Sequence, residues 1–388
     1  MRFFSFHLMP YPALPADYDG PAWITCPNEL FDPAVGTRVY NEYLDQLLYA
    51  EELGFDGVCV NEHHQNAYGL MPSPNLMASI LARQTTRVKI AVVGNALPLY
   101  NPPTRVAEEF AMIDCLSGGR LIAGLVVGGG PEYYSFSMNP AHARERFQEA
   151  HDLILRAWTE PGPFEYYGKH YKLRYVNSWP KPVQQPHPEI WIPGAGSLET
   201  VEFVARNHYA YMGIPYFHID VFERMFNMMR DACQREGYEA DPLQLGWLEP
   251  IYVAETDAQA RKEYEEHFWY FVKRLLPGIN TNPPGYTTLR SYENMLKGAK
   301  TFAINLETWD EVVEGQYAIV GSPETVAEKL TENLHRLGTG NLLGLFQLGT
   351  LPNHLARRNL ELFGTEVMPR LRRAFPEGSP VLSTAAAV

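Results

Sequence analysis

At 388 residues the chain can bury a large core, and 46% hydrophobic against 20% charged residues is the balance of an ordinary globular protein. A net charge of -13 at pH 7 argues against nucleic acid or an anionic membrane surface as a partner. Cys26, Cys59, Cys115 and Cys233 stand far apart without CxxC spacing, which fits the reduced thiols of a cytoplasmic protein and speaks against a disulfide framework or a zinc site.

Residues 1–10 are too short and too interrupted for a signal peptide and read as a first strand ended by Pro10. No apolar run approaches the ~20 residues of a membrane span. Residues 10–36, rich in Pro, Gly, Asp and Asn, read as a long loop. Tyr40, Leu44, Leu47, Leu48 and Leu53 recur at helical spacing and predict a helix over 40–53, stopped by Gly54. The strand 57–61 follows and runs directly into Glu62, His63 and His64. A helix to 85, a strand over 88–94 and a helix to 116 come next. The apolar strand 121–127 then empties into Gly128, Gly129 and Gly130. A helix over 143–158 and a hairpin from 164 precede a fifth strand, 189–193, which leads into Gly194, Ala195, Gly196 and Ser197 and a helix to 207. Strand 209–212, helix 221–236, strand 243–254 and a helix to 275 continue the alternation. Ser322 as N-cap and Pro323 at the first helical position open another helix. Strand 342–346 is the eighth, and a helix over 355–374 is the last. Residues 376–388 read as a frayed tail.

Eight strands, each followed by a helix, predict an α/β chain folded as a (β/α)8 TIM barrel with insertions, in a single domain over 1–375. A doubly wound sheet is the competitor, but no GxGxxG turn follows the first strand. The Gly-, Pro-, Asn- and Thr-rich stretch 277–305 is the largest interruption, either a lid over the barrel mouth or a plain surface excursion.

Ligands of such barrels bind at the carboxyl ends of the strands. Strand alternation puts Cys59, Asn61 and His63 on one face, toward the barrel mouth, and Val58, Val60 and Glu62 on the other, toward the helical jacket. His63 is therefore the candidate proton-handling residue, and His64 is expected to be structural. The Gly194–Ser197 turn opens a helix and suits a phosphate, although Ser197 could equally be only an N-cap. Metal binding is disfavoured, since Glu62, His63 and His64 lack HExxH spacing, and no GxSxG elbow supports a serine hydrolase.

Five motifs in order carry a resemblance that extends over nearly the whole chain. They are Ala50-Glu51-Glu52-Leu53-Gly54-Phe55-Asp56 leading to Glu62-His63-His64; Arg87-Val88-Lys89-Ile90 leading to Asn101-Pro102-Pro103; Leu116-Ser117-Gly118-Gly119-Arg120; the Gly-rich end of the fourth strand; and Pro193-Gly194-Ala195-Gly196-Ser197. Together they resemble the bacterial-luciferase-like flavin monooxygenases. The resemblance implies a barrel that takes reduced FMN (FMNH2) from a separate NAD(P)H:flavin reductase, forms a C4a-peroxyflavin with O2 and oxygenates a small organic substrate. It implies a catalytic His63, and cofactor contacts from Asn61, Asn95, Gly128, Gly194, Ala195, Gly196, Ser197 and Leu198. Luciferase relatives often carry Arg and an aromatic residue where this chain has Gly128, Gly129 and Gly130. Relatives that use the deazaflavin F420 share the barrel, so an F420-dependent oxidoreductase is the alternative, with a non-catalytic flavin-binding protein as a third reading. A cytoplasmic homo-oligomer is expected.

Overall fold

The computed structural model describes residues 1–288, 290–291 and 301–376. Residues 289 and 292–300 of the expected lid, and 377–388 of the expected tail, lie outside the described residues. In chain order the strands are β1 (Arg2–Phe6), β2 (Gly57–Val60), β3 (Lys89–Ala96), β4 (Leu121–Val126), β5 (Phe164–Tyr167), β6 (Lys172–Val176), β7 (Glu189–Gly194), β8 (Ala210–Gly213), β9 (Leu245–Val253), β10 (Ile319–Gly321) and β11 (Asn341–Leu345). Eight of them pair in parallel in the order β1-β2-β3-β4-β7-β8-β9-β11, and β11 closes back on β1. This is the expected (β/α)8 barrel. The antiparallel pair β5–β6 is the expected hairpin excursion. The three-residue β10 extends the sheet outside the barrel along the second half of β9, at Ile251–Val253. So short a strand has no periodicity to reveal it in sequence.

The alternation read from sequence holds along β2. Val58 and Val60 pack with Phe3, Val92 and Ala123 between strands and jacket helices, whereas Cys59 packs in the lumen with Phe4, Phe6, Ala91 and Ile122. Each barrel strand buries both faces, as parallel strands covered by helices must. The jacket includes α1 (Pro33–Glu52), α2 (Pro74–Gln84), α3 (Thr104–Ser117), the short α4 (Gly130–Ser135), α5 (Ala143–Thr159), α6 (Leu198–Arg206), α7 (Ile219–Arg235) and α8 (Asp257–Tyr270). Helix α1 starts seven residues before the expected position. Asp32 caps it by accepting from the Ala34 N–H at 2.7 Å, and Pro33 occupies the first helical position, where its missing N–H is no loss.

Strand β3 departs from regular pairing where it nears the site. Its register against β4 shifts between Val92 and Asn95. A Cβ on Gly94 would lie 2.5 Å from the Gly124 carbonyl carbon, and one on Gly124 only 1.8 Å from the Val92 oxygen. Two glycines therefore let the strands approach at the irregularity. The extra residue re-aims the side chains around it: Val93 faces the lumen, Asn95 faces outward and Ala96 reaches the mouth.

Candidate active site

A cavity of about 490 Å³ opens at the carboxyl ends of the strands. Asn61 and His63 enter it from the end of β2, Gly94 and Ala96 from β3, Gly128 to Gly130 from the turn after β4, and Gly194 to Ser197 from the end of β7. Trp23 of the long first loop and Tyr68 form an aromatic wall, with ring centroids 4.7 Å apart. The Trp23 indole is anchored by its N–H to the Leu275 carbonyl at 3.1 Å.

His63 is held on three sides. Its backbone N–H donates to Met71 O at 3.1 Å, and the ring meets Trp23 and Tyr68 edge-on at 5.2 and 5.0 Å. The third contact is 2.9 Å between Nδ1 and Oε1 of Glu132, a carboxylate only 2% exposed at the start of α4. An ionised carboxylate only accepts, so Nδ1 donates in this contact and Nε2 is the ring nitrogen left for another partner. His64 does not line the cavity; its Nε2 sits 2.8 Å from Oε1 of Glu62, and its ring meets Phe136 edge-on. Glu62 is more than a jacket residue. Its Oε2 accepts from Asn95 Nδ2 and Tyr100 OH, each at 2.8 Å, and from the Ala96 N–H at 3.3 Å, tying the ends of β2 and β3 together.

The phosphate-like turn has an arrangement that sequence leaves open. A Cβ on Gly194 would meet the Tyr211 ring at 2.9 Å, and Gly196 has φ +82° with Met225 Cγ 3.0 Å from where a Cβ would stand. Ser197 occupies the N-cap of α6, but its side chain caps nothing. Its Oγ donates to Thr200 Oγ1 at 2.7 Å and accepts from the Arg144 guanidinium at 3.0 Å. The pure N-cap reading is thereby set aside, because the hydroxyl faces a cation and leaves the first-turn N–H groups free of it. Arg224 of α7 lines the same cavity. Glu199 accepts from Thr288 Oγ1 at 2.5 Å and from Ser291 Oγ, with Arg144 at 3.8 Å. Burial pushes the Glu199 carboxyl up. Hydrogen bonds from Ser291, Thr288 and its own backbone, with the Arg144 charge, outweigh this and hold it below its ordinary value.

Of the expected cofactor contacts, Asn61, Gly128, Gly194, Ala195, Gly196 and Ser197 line the cavity, as does His63. Asn95 and Leu198 do not. Asn95 is fully buried between Glu62 and Asn75, because the β3 irregularity turns it outward, so a direct contact is replaced by support of Glu62. Glu132, Arg144 and Arg224 join the site without a sequence signal. None belongs to a motif, and each reaches the cavity from a helix that sequence spacing cannot orient against the barrel. Arg144 of α5 and Arg224 of α7 bring to the cavity guanidinium groups that the Gly128–Gly130 turn does not carry. Gly128 itself, at φ +93°, is held by Tyr286, whose OH donates to its carbonyl at 2.7 Å.

A family model described as luciferase-like monooxygenase matches residues 22–340. The chain belongs to that family. The oxygenase component of the flavin-dependent trigonelline monooxygenase of Acinetobacter baylyi is 28% identical over 253 residues, 62% of this chain and 67% of that protein. An F420-dependent glucose-6-phosphate dehydrogenase of Kineococcus radiotolerans is 28% identical over 201 residues, 50% of this chain and 58% of the relative. Among solved structures, the oxygenating constituent of 3,6-diketocamphane monooxygenase of Pseudomonas putida, a type II Baeyer-Villiger enzyme in complex with FMN, superposes with a TM-score of 0.71 at 20% identity, covering 86% of this chain and 93% of that one. Among the described residues of this luciferase-like chain, no helix is long and apolar enough to cross a membrane.

A flavin phosphate fits the residues present. Two hydroxyls, the Arg144 guanidinium and the start of α6 converge at one end of the cavity, which Arg224 also lines, and the glycines of the β7 turn leave room for close approach. Asn61 Oδ1 and Glu132 Oε2 are buried without a hydrogen-bond partner among the described residues, as expected of atoms that wait for a ligand or water.

Proposed function

We propose that this chain is the oxygenase of a two-component system, taking FMNH2 from a separate NAD(P)H:flavin reductase and using O2 to oxygenate a small organic substrate. The observation that carries this reading is the meeting of two unlike ends in one cavity: an arginine-flanked hydroxyl turn at Ser197, and His63 held by the buried Glu132 under an aromatic wall. Bound reduced flavin supplies the electrons that activate O2. Ser197, Thr200, Arg144 and Arg224 hold its phosphate, and Gly194 and Gly196 let the backbone approach it. His63 exchanges a proton through Nε2 at the reacting oxygen or the substrate, while Glu132 fixes the tautomer and stabilises the imidazolium. Trp23 and Tyr68 keep water from the reacting face. The relative named as an oxygenase component supports a separate reductase, as does the lack of a dinucleotide fingerprint in this chain.

An F420-dependent oxidoreductase is the second reading, supported by the Kineococcus relative. Exposed Leu76 and Ile80 on α2 and Met112 and Leu116 on the adjacent α3 support association with a second copy of the chain.

Arg144→Ala tests the phosphate end. A charge-assisted contact of this kind contributes about 1.5–3 kcal/mol, so FMN affinity should fall roughly 10- to 100-fold. Riboflavin, which has no phosphate, should bind wild type and variant alike. Equal losses for both ligands in a fluorescence titration would remove the phosphate from this end.

A further inference from the structure

The phosphate end of the cavity has an outer wall, and that wall is fastened to the same helix turn that would hold the phosphate. Thr288 and Ser291 both donate to the Glu199 carboxylate, and one turn further along α6 Arg290 pairs with Glu202, its Nη1 2.8 Å from Oε2. Glu199 in turn stands 3.8 Å from Arg144, the guanidinium that bonds Ser197. At its other end the wall is seated on the β4 turn. Tyr286 bonds the Gly128 carbonyl, and only the missing side chain of Gly130 admits Asn282, whose Cα lies 2.8 Å from where a Cβ would stand. Thr287, Thr288 and Ser291 line the cavity together with Ser197 and Thr200, so the wall borders the phosphate end.

We infer that this clasp between Glu199 and the Thr288–Ser291 hydroxyls makes the site selective for a cofactor that ends at its phosphate. The inference rests on the flavin reading proposed above and names which flavins the site accepts. A phosphate monoester places its dianion against Arg144, Arg224 and the start of α6 and needs no exit. A phosphodiester continues beyond the phosphate, as the adenylate of FAD or the acidic peptide tail of F420 does. That continuation must pass where Thr288 and Ser291 bond Glu199, which breaks both hydrogen bonds and leaves the carboxylate with only its own backbone N–H and Arg144. An anionic tail also meets two like charges, Glu199 and Glu202, in a partly dry setting where repulsion is poorly screened.

The test is equilibrium binding of FMN, FAD, F420 and riboflavin to the full chain, without turnover. For wild type, FMN should bind about 100-fold tighter than FAD or F420. In Thr288→Val/Ser291→Ala, which removes both donors but keeps bulk, FAD and F420 should gain about 10-fold while FMN changes less than threefold. Glu199→Gln serves as a second variant should the double one melt early; it removes the charge and should narrow the FMN-to-F420 ratio. Wild-type FAD or F420 affinity equal to that of FMN, or an unchanged ratio in folded variants, overturns the clasp alone. Failure of FMN to bind at all, or to bind better than riboflavin, overturns the flavin reading and the clasp with it.

Discussion

His63→Ala should leave the fold and FMNH2 affinity intact while product formed per FMNH2 oxidised falls ~10²–10⁴-fold, the range for loss of a general acid or base. The size reflects how the imidazole is held. Glu132 fixes the proton on Nδ1, and the rings of Trp23 and Tyr68 restrain its plane, so Nε2 is presented with little left to organise. Alanine keeps none of this and no other residue substitutes for it, because His64 is turned away onto Glu62. Oxygen uptake should continue, with the electrons appearing as hydrogen peroxide. His64→Ala is the internal control. It removes one of the four hydrogen bonds that hold Glu62 and should lower the melting temperature without uncoupling product from flavin oxidation. Uncoupling by His64→Ala and mere destabilisation by His63→Ala would exchange the two roles.

The second large effect concerns a carboxyl that does not itself line the cavity. Glu249 on β9 is fully buried, and neither carboxylate oxygen has a hydrogen-bond partner among the described residues. Burial pushes its carboxyl well above the ordinary value of 4.5. In the unfolded chain the group ionises near that ordinary value, so above it the folded state holds a proton that the unfolded state has released. Stability contributed by the protonated form is then complete below pH 4.5 and is lost as pH rises toward the folded pKa. Glu249→Gln keeps the shape and cannot ionise. It should melt several degrees above wild type at pH 7, with the gap shrinking as pH falls to 4.5. A gap that is constant with pH would mean that Glu249 is charged in the folded protein, stabilised by a buried partner or ion.

The barrel is legible in the sequence because each strand carries enough apolar residues to bury both faces and each helix repeats at its own period. His63 is legible for a related reason: two positions after Asn61 and four after Cys59, it lies just past the end of β2 and reaches the cavity as alternation assigns, although Glu62, assigned to the other face, lines the cavity as well. Asn95 escapes that rule because Gly94 introduces a register shift, and one extra residue exchanges the faces of a strand. The partners of His63 and Ser197 are hidden for a different reason. Glu132 lies 69 residues from His63 and Arg144 lies 53 from Ser197, and no local rule of spacing reaches that far. Ser197 illustrates a further limit. A serine before a helix is the usual sign of a cap, and only the position of Arg144 tells which way its hydroxyl turns.

The most direct measurement of the central proposal is an anaerobic titration of the purified chain with FMNH2 and, in parallel, with reduced F420, followed by admission of air. FMNH2 should bind saturably and more tightly than oxidised FMN or F420, and the bound flavin should consume oxygen rapidly. Tight binding of reduced F420 with none of FMNH2, or bound FMNH2 that oxygen does not reoxidise, would contradict that proposal.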